Sequence, residues 1–311
     1  MRLRRSCLAV PGSSEKMLAK AATLPADMVF CDLEDAVAPL EKNDATRALV
    51  VGALTSQPWL AKTKVVRVND VSTPWCFRDI VAIVSGAGAD LDCIMLPKVT
   101  GPDHVSFAHH LLTQLELELG LSRRIGLEVQ IEDARGAERI AEIADASDRI
   151  ETIIFGPGDY AAALGIPSIS VGEIDPAYPA DQWHYILCRI VIAARARGLQ
   201  AIDGPYAAIR DLDGFREIAS RSRSLGCDGK WVLHPDQIAI ANEVYAPSAE
   251  AFERASALLE AYRKATGEDR RGAVIWEGAM IDEASRKMAE SVVARGLAAG
   301  LKAEKLSQND S

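Results

Sequence analysis

Short apolar runs alternate with longer helix-like stretches along the first 235 residues. Eight runs of four to seven residues have the composition of buried strands, at 7–10, 28–33, 64–68, 93–96, 125–131, 152–155, 199–202 and 230–233. The segments between them are rich in Ala, Leu and Glu, and two of these, 134–144 and 183–197, are typical of helices. Strands that are apolar on both faces and alternate with helices predict a parallel sheet covered by helices.

Eight such strand–helix units within residues 1–245 predict a (β/α)8 barrel, a fold of about 250 residues. A doubly wound open sheet is the alternative. No G-x-G-x-x-G follows the first predicted strand, which weakens that alternative. We therefore expect an α/β protein with a TIM-barrel catalytic domain over residues 1–245.

The pattern changes after the eighth predicted strand, where His234 and Pro235 form a turn. Three further elements are expected in residues 246–311, namely a helix over 249–266, a short strand over 273–276 and a helix over 281–299. This tail exceeds what a barrel needs. It is expected to be a helical extension that packs either on its own barrel or, as a lid, on a neighbouring subunit.

Composition narrows the class of protein. Of 311 residues, 49% are hydrophobic and 25% are charged, which excludes disorder as the main state. The net charge of −9 argues against nucleic-acid binding. No apolar run approaches the roughly 20 residues of a membrane span, and the apolar stretch after the basic N-terminus is too short for a signal peptide. We expect a cytoplasmic protein whose six scattered cysteines are reduced.

Charged residues follow most of the predicted strands. The active site of a (β/α)8 barrel lies at the carboxyl ends of its strands, so these residues are candidates for that site. Glu132 and Asp159 follow strands five and six, and neighbouring strands lie about 4.8 Å apart. Two carboxylates that close repel unless a proton or cation lies between them. Their oxygen atoms suit Mg²⁺ or Mn²⁺, although each acid could instead cap the next helix. Three further acids are expected to form an outer shell that holds water on the metal, namely Asp32, Glu34 and Asp35.

Two groups of basic residues have candidate roles. Arg67 ends the third run, and a strand period of two does not decide whether it points inward. Beside a metal it would bind a carboxylate or a developing oxyanion; an ion pair with Glu34 or Asp35 is an alternative compatible with that role. Lys16 and Lys20 share a helix face and could bind a phosphate, although surface lysines are usually only solvated.

The order of several motifs resembles the citrate lyase β-subunit-like family of coenzyme A ester lyases, which includes malyl-CoA and citramalyl-CoA lyases. The motifs are 10–16 (VPGSSEK), 31–37 (CDLEDAV), 67–69 (RVN), 96–98 (LPK), 155–156 (FG) with Asp159, 201–203 (AID) and 229–235 (GKWVLHP). They occur in the right order, and the resemblance covers most of the chain.

The resemblance implies a (β/α)8 barrel, Mg²⁺ or Mn²⁺, and retro-Claisen cleavage of a 3-hydroxyacyl-CoA. It implies that Glu132 and Asp159 are the metal ligands, with Glu132 also at the substrate, and that Arg67 is a catalytic residue that binds substrate beside the thioester. Four other residues are implied to bind coenzyme A: Lys16 and Lys20 its phosphates, and the backbone of Ala201 and Ile202 its adenine end.

The tail also matches the family. Residues 277–282 (EGAMID) resemble the G-x-M-I-D segment of malyl-CoA and citramalyl-CoA lyases. That resemblance implies that Asp282 is a catalytic acid–base residue supplied in trans within a homo-oligomer, a trimer or hexamer; the sequence alone favours a helix N-cap. The chain departs from the family pattern at 130–137 (QIEDARGA), where many relatives begin with an apolar residue, and at 204–206 (GPY).

These observations predict cleavage of a malyl-CoA or citramalyl-CoA type substrate to acetyl-CoA or propionyl-CoA and a 2-ketoacid such as glyoxylate or pyruvate. Three alternatives remain open: a thioesterase that uses the same site, a metal-dependent aldolase acting on a free 2-keto-3-hydroxy acid, and a non-catalytic subunit of a citrate lyase-like complex. The extra tail argues against the last of these.

Overall fold

The computed structural model describes residues 2–167, 169–267 and 272–302. The chain forms two compact units, residues 1–245 and residues 246–311. No helix within the described ranges is both long and apolar enough to cross a lipid bilayer. All six cysteines are free thiols, as the sequence predicts, and five of them are buried.

The first unit is a closed barrel of eight parallel strands in chain order. The strands are β1 (Ser6–Pro11), β2 (Met28–Asp32), β3 (Thr63–Arg67), β4 (Cys93–Leu96), β5 (Gly126–Ile131), β6 (Ile150–Phe155), β7 (Gln200–Asp203) and β8 (Gly229–Val232). The pairing of β1 with β8, with Cys7 opposite Trp231, closes the barrel. The (β/α)8 prediction is therefore confirmed, and the open sheet is excluded.

Helices follow the strands around the barrel. They are α1 (Glu15–Ala22), α2 (Asp44–Ser56), α3 (Cys76–Ala87), α4 (Pro102–Leu119), α5 (Ala134–Glu138), α6 (Ile140–Ala144), α7 (Pro157–Leu164), α8 (His184–Ala196), α9 (Leu212–Leu225) and α10 (Pro235–Val244). The single helix predicted over 134–144 is wrong, because Arg139 leaves the helical region with φ −104° and ψ 18°. His234 caps α10 with its side chain, which agrees with its predicted role in a turn.

Side chains alternate between two apolar layers. One layer fills the barrel interior, with members on seven strands: Cys7, Met28, Phe30, Val65, Cys93, Met95, Ile154, Ile202 and Trp231. The other lies between the sheet and its helices and includes Val29 and Cys31, the neighbours of Phe30 in β2. Successive side chains of a strand point to opposite faces of the sheet, so every second residue points into the barrel. The last inward-pointing residues of the strands therefore lie at the carboxyl-end opening of the barrel.

A buried ion pair closes the amino end of the barrel. Arg4 Nε lies 2.8 Å from Glu128 Oε1, and both side chains are almost fully buried. The same guanidinium donates to Gln200 at 2.6 Å and to Glu151 at 2.7 Å. Burial raises the pKa of Glu128, and the charge of Arg4 opposes that shift. The stability of this end therefore depends on a cation facing Glu128.

The second unit contains α11 (Ala249–Gly267), a hairpin of β9 (Val274–Trp276) and β10 (Ala279–Ile281), and α12 (Glu283–Ala298). The sequence predicts both helices and β9 but misses β10. The turn residues Glu277 and Gly278 have positive φ angles of 49° and 77°, as a two-residue hairpin requires, but Glu-Gly is a weaker hairpin signal than Asn-Gly.

We expect Arg4→Met to destabilise the protein by about 3–5 kcal/mol, because it leaves the buried Glu128 carboxylate without its cation. The double variant Arg4→Met/Glu128→Leu should recover most of this loss, since no unpaired charge remains. The free energy of unfolding in urea measures both effects. The exposed Arg124–Asp148 pair provides the control, and Arg124→Met should have little effect. An equally small effect of Arg4→Met would contradict this account of the amino end.

Candidate active site

A buried arginine lies at the carboxyl ends of two adjacent strands. Asp32 and Arg67 are register partners at the ends of β2 and β3. Arg67 donates from Nε to Asp32 Oδ1 at 2.8 Å and from Nη2 to Asp32 Oδ2 at 2.6 Å. Its Nη1 lies 3.1 Å from Glu34 Oε2. The predicted ion pair with Glu34 is thus present, and a bidentate pair with Asp32 accompanies it.

Aromatic rings hold the same guanidinium from the barrel interior. Its central carbon lies 5.1 Å from the ring centroid of Trp231 and 6.0 Å from that of Phe30. Arg67 therefore points inward. Burial alone would lower the pKa of Arg67, but the charges of Asp32 and Glu34 raise it above its usual value. The result is a permanently charged donor in a fixed orientation, which suits binding of an anionic oxygen.

Glu132 follows β5 and is buried on the inner side of the barrel. Its Oε1 accepts the backbone N–H of Lys98 at 2.7 Å, and its Oε2 accepts Gln130 Nε2 at 2.6 Å. Gly156, at the end of β6, permits this packing. A Cβ at that position would lie only 2.3 Å from Glu132 Oε2, so a larger residue would displace the carboxylate.

Glu132 and Asp159 form a carboxylate pair whose chemistry suits a divalent cation. Asp159 lies in the first turn of α7, and its side chain is 42% exposed. Burial raises the pKa of Glu132 to about 8, the charge of Arg67 opposes the shift, and the charge of Asp159 adds to it. A cation between the two acids would relieve that repulsion. No cluster of three or more His, Cys, Asp or Glu ligands occurs among the described residues, so water and substrate would complete the coordination.

Lys98 is a site residue whose importance the sequence did not reveal. It follows β4 with a positive φ of 50°, which is unusual for a residue with a side chain. Its ammonium group bonds to Glu34 and lies 3.1 Å from Asp35 and 3.8 Å from Asp159. Lys98 thus contacts one member of the carboxylate pair through its backbone and approaches the other through its side chain. The sequence signals were a basic residue just after a predicted strand and its place in the 96–98 (LPK) motif, and neither assigned it a role.

Asp32, Glu34 and Asp35 lie around two cationic side chains. Both oxygens of Asp32 accept from Arg67, and Glu34 bonds to Arg67 and Lys98. Burial raises the pKa of Glu34 to about 6, which the charge of Arg67 and the bond from Lys98 oppose. These acids hold Arg67 and Lys98 in place, and their expected role in holding water on a metal stays a prediction.

The remaining predicted residues lie apart from this cluster. Lys16 and Lys20 are exposed on α1, as a phosphate-binding or a merely solvated pair would be. Ala201 and Ile202 are fully buried in β7, and the N–H and C=O of Ala201 are bonded to Asp228. The backbone of Ala201 is therefore already bonded within the barrel, and the implied contact of this pair with coenzyme A stays a prediction. Asp282 lies in the second unit.

A buried network behind the site joins the loops after β2 and β3. Asn69 donates from Nδ2 to the Leu33 carbonyl at 2.9 Å and to Asp79 at 2.7 Å. Arg47 donates to the other oxygen of Asp79 at 2.7 Å. The sequence contained Asn69 within a motif but gave no role for it. Its contacts fix the segment that carries Asp32 and Glu34.

The parallel barrel and the charged cluster at its carboxyl ends define a (β/α)8-barrel enzyme. Residues 5–235 match the model of the HpcH/HpaI aldolase/citrate lyase family. The chain belongs to this family and is a carbon–carbon lyase.

Relatives and a solved structure are similar over most of the chain. An L-malyl-CoA/beta-methylmalyl-CoA lyase of Cereibacter sphaeroides is 38% identical over 91% of both chains. A (3S)-malyl-CoA thioesterase of the same species is 36% identical over 84% of both. The crystal structure of CitE from Mycobacterium tuberculosis with magnesium, acetoacetate and coenzyme A is 30% identical, with a TM-score of 0.72, covering 94% of this chain and 97% of that one.

We expect Lys98→Gly to be more stable than Lys98→Ala by about 1 kcal/mol, because both variants lose the ammonium group but only glycine adopts the positive φ without strain. Urea unfolding measures the difference. The same pair of substitutions at Lys287, within helix α12, is the control, and there alanine should be the more stable. An alanine variant as stable as the glycine variant at position 98 would show that this backbone conformation stores no strain.

Proposed function

We propose that this protein is a magnesium-dependent coenzyme A ester lyase that cleaves a malyl-CoA or citramalyl-CoA type 3-hydroxyacyl-CoA, reversibly, to acetyl-CoA or propionyl-CoA and a 2-ketoacid. The observation that carries the proposal is the buried Arg67 guanidinium, held by Asp32 beside the carboxylates of Glu132 and Asp159. The similarity to malyl-CoA lyases and to a magnesium- and CoA-bound CitE supports this choice of substrate and ion.

Glu132 and Asp159 would hold the magnesium ion, with Mn²⁺ as a substitute. When bound, the ion supplies a Lewis acid and a template for the carboxylate and the hydroxyl or carbonyl of the acid fragment. The chain's own contribution is orientation. Lys98 and Gln130 each donate a hydrogen bond to one oxygen of Glu132, so this ligand is fixed before substrate arrives.

Cleavage breaks the bond between C2 and C3 of the 3-hydroxyacyl-CoA. The hydroxyl proton passes to the carboxylate of Asp282, the hydroxyl carbon becomes the carbonyl of the 2-ketoacid, and the electron pair of the broken bond passes into the thioester to give an enolate. Arg67 donates to the oxygen on which this charge develops. Its donors are preorganised because Asp32, Glu34 and Trp231 already fix the guanidinium.

Asp282 is the proposed acid–base residue, supplied by a neighbouring subunit of a homo-oligomer. It protonates the enolate carbon during cleavage and removes that proton during condensation. Hydrogen bonds from Ser285 hold the pKa of Asp282 below its usual value, which favours the carboxylate needed for condensation. The same side chain caps α12, so the two interpretations of Asp282 are compatible.

The exposed Lys16 and Lys20 are proposed to bind the phosphates of coenzyme A. Both lie on α1, the helix that follows β1, and they are four residues apart on one face. Their positive charges are compatible with a polyanionic ligand in a protein whose net charge is otherwise negative.

A malyl-CoA thioesterase is the second candidate, because one relative at 36% identity has that activity in its name. The experiment incubates the purified chain with malyl-CoA and Mg²⁺ and determines the products by mass. We expect acetyl-CoA and glyoxylate; free CoA and malate as the sole products would instead establish the thioesterase. Glu132→Gln is the control, because it removes one charged ligand at nearly constant shape and should abolish the dependence on Mg²⁺. Turnover of the free acid alone would favour an aldolase.

Asp282→Asn tests the acid–base proposal without disturbing the helix, because asparagine caps helices as well as aspartate does. We expect kcat to fall by about 100-fold or more while the affinity for the CoA ester is retained. Glu283→Gln, at the next position, is the control and should remain active. Near-normal turnover by Asp282→Asn would remove this residue from the mechanism.

A further inference from the structure

Gln130 is a buried amide directly below the carboxylate pair. It lies on the inward column of β5, between Glu128 and Glu132, and its exposed fraction is 2%. Its Nε2 donates to Glu132 Oε2 at 2.6 Å. Its Oε1 is buried and has no hydrogen-bond partner among the residues that the structure describes. One half of the amide therefore has a partner and the other half does not.

The contact with Glu132 fixes which half is left over. When Glu132 is the carboxylate that a metal ligand must be, an amide turned by 180° would place its carbonyl oxygen 2.6 Å from Glu132 Oε2, and these two acceptors would repel each other. Gly156 lies close to this amide, since a Cβ added there would lie 2.9 Å from Gln130 Nε2. The unpartnered atom is thus an acceptor, held in place beside a candidate metal ligand.

A second unpartnered group belongs to the same site. Trp231, whose ring lies against Arg67, has a buried indole N–H for which the described residues offer no acceptor. A buried polar group without a partner costs about 1–3 kcal/mol. Here an acceptor and a donor are both left over, and a hydroxyl group can satisfy either kind.

We infer that Gln130 is a specificity-determining residue whose carbonyl oxygen accepts a hydrogen bond from the hydroxyl group of the bound acyl ligand. The inference rests on the proposed function and specifies its ligand as a hydroxylated acid. A site that satisfies a buried acceptor with a ligand hydroxyl discriminates against the analogue that lacks the hydroxyl, because the acceptor then stays unpaired.

The test compares L-malate with succinate, two four-carbon diacids that differ by one hydroxyl group. Isothermal titration calorimetry measures the Kd of each for the intact protein at saturating Mg²⁺. Gln130→Met is the variant, since methionine has a similar length and no acceptor of comparable strength. We expect the wild-type preference for malate to fall by about fivefold or more in this variant. The ratio of the two Kd values cancels effects on Glu132 that both ligands share.

Thr152→Val is the matched control. Thr152 is a buried β6 residue whose hydroxyl also lacks a partner within the described ranges, but it is not bonded to Glu132, and its loss should leave the preference unchanged. Gln130→Leu replaces Gln130→Met if the latter does not fold. The inference is overturned by an unchanged ratio in a folded variant, or by a wild-type protein with no preference for malate. Failure of the wild type to bind either acid would also overturn the inference, whereas the proposed function is decided separately by whether the protein cleaves malyl-CoA.

Discussion

The pairing of Arg67 with Asp32 is the interaction on which the candidate site depends. It exists because the barrel register places the ends of β2 and β3 side by side, so a fork of two N–H groups meets two carboxylate oxygens without any loop rearrangement. A buried guanidinium is costly unless it is paired and hydrogen-bonded. Asp32 and Glu34 provide these bonds, and the rings of Phe30 and Trp231 lie against the guanidinium. The cation is consequently a fixed part of the barrel.

Charge balance explains how five acids remain near one another. Asp32, Glu34 and Asp35 face Arg67 and Lys98, and these two cations neutralise most of their charge. Glu132 and Asp159 are left with less compensation, since Lys98 reaches Asp159 only at 3.8 Å and meets Glu132 through its backbone. The uncompensated charge is therefore concentrated on the two residues for which a divalent ion is proposed. Burial is the main cause of the raised pKa of Glu132, and the charge of Asp159 adds to it.

The sequence predicts the strands well because apolar runs bounded by polar residues are a local signal, and all eight agree with the structure within two residues at each end. It also identifies Arg67, Glu132 and Asp159, because each lies at or just after a strand end. It could not assign Lys98, whose role depends on a positive φ angle and on acids from β2 and α7 that are distant in the chain. It could not foresee the pairing of Asp32 with Arg67 for a similar reason, since the register that brings these two residues together is not visible in one strand alone.

The two ends of the barrel use buried charge in different ways. At the amino end, Arg4 meets Glu128, Glu151 and Gln200 in contacts that satisfy the guanidinium, although Glu128 Oε2 has no hydrogen-bond partner among the described residues. At the carboxyl end, Gln130 and Trp231 retain unpartnered groups, and Asp159 is partly open to solvent. A fold tolerates unsatisfied polar atoms where function requires them, since a ligand can supply the missing bonds.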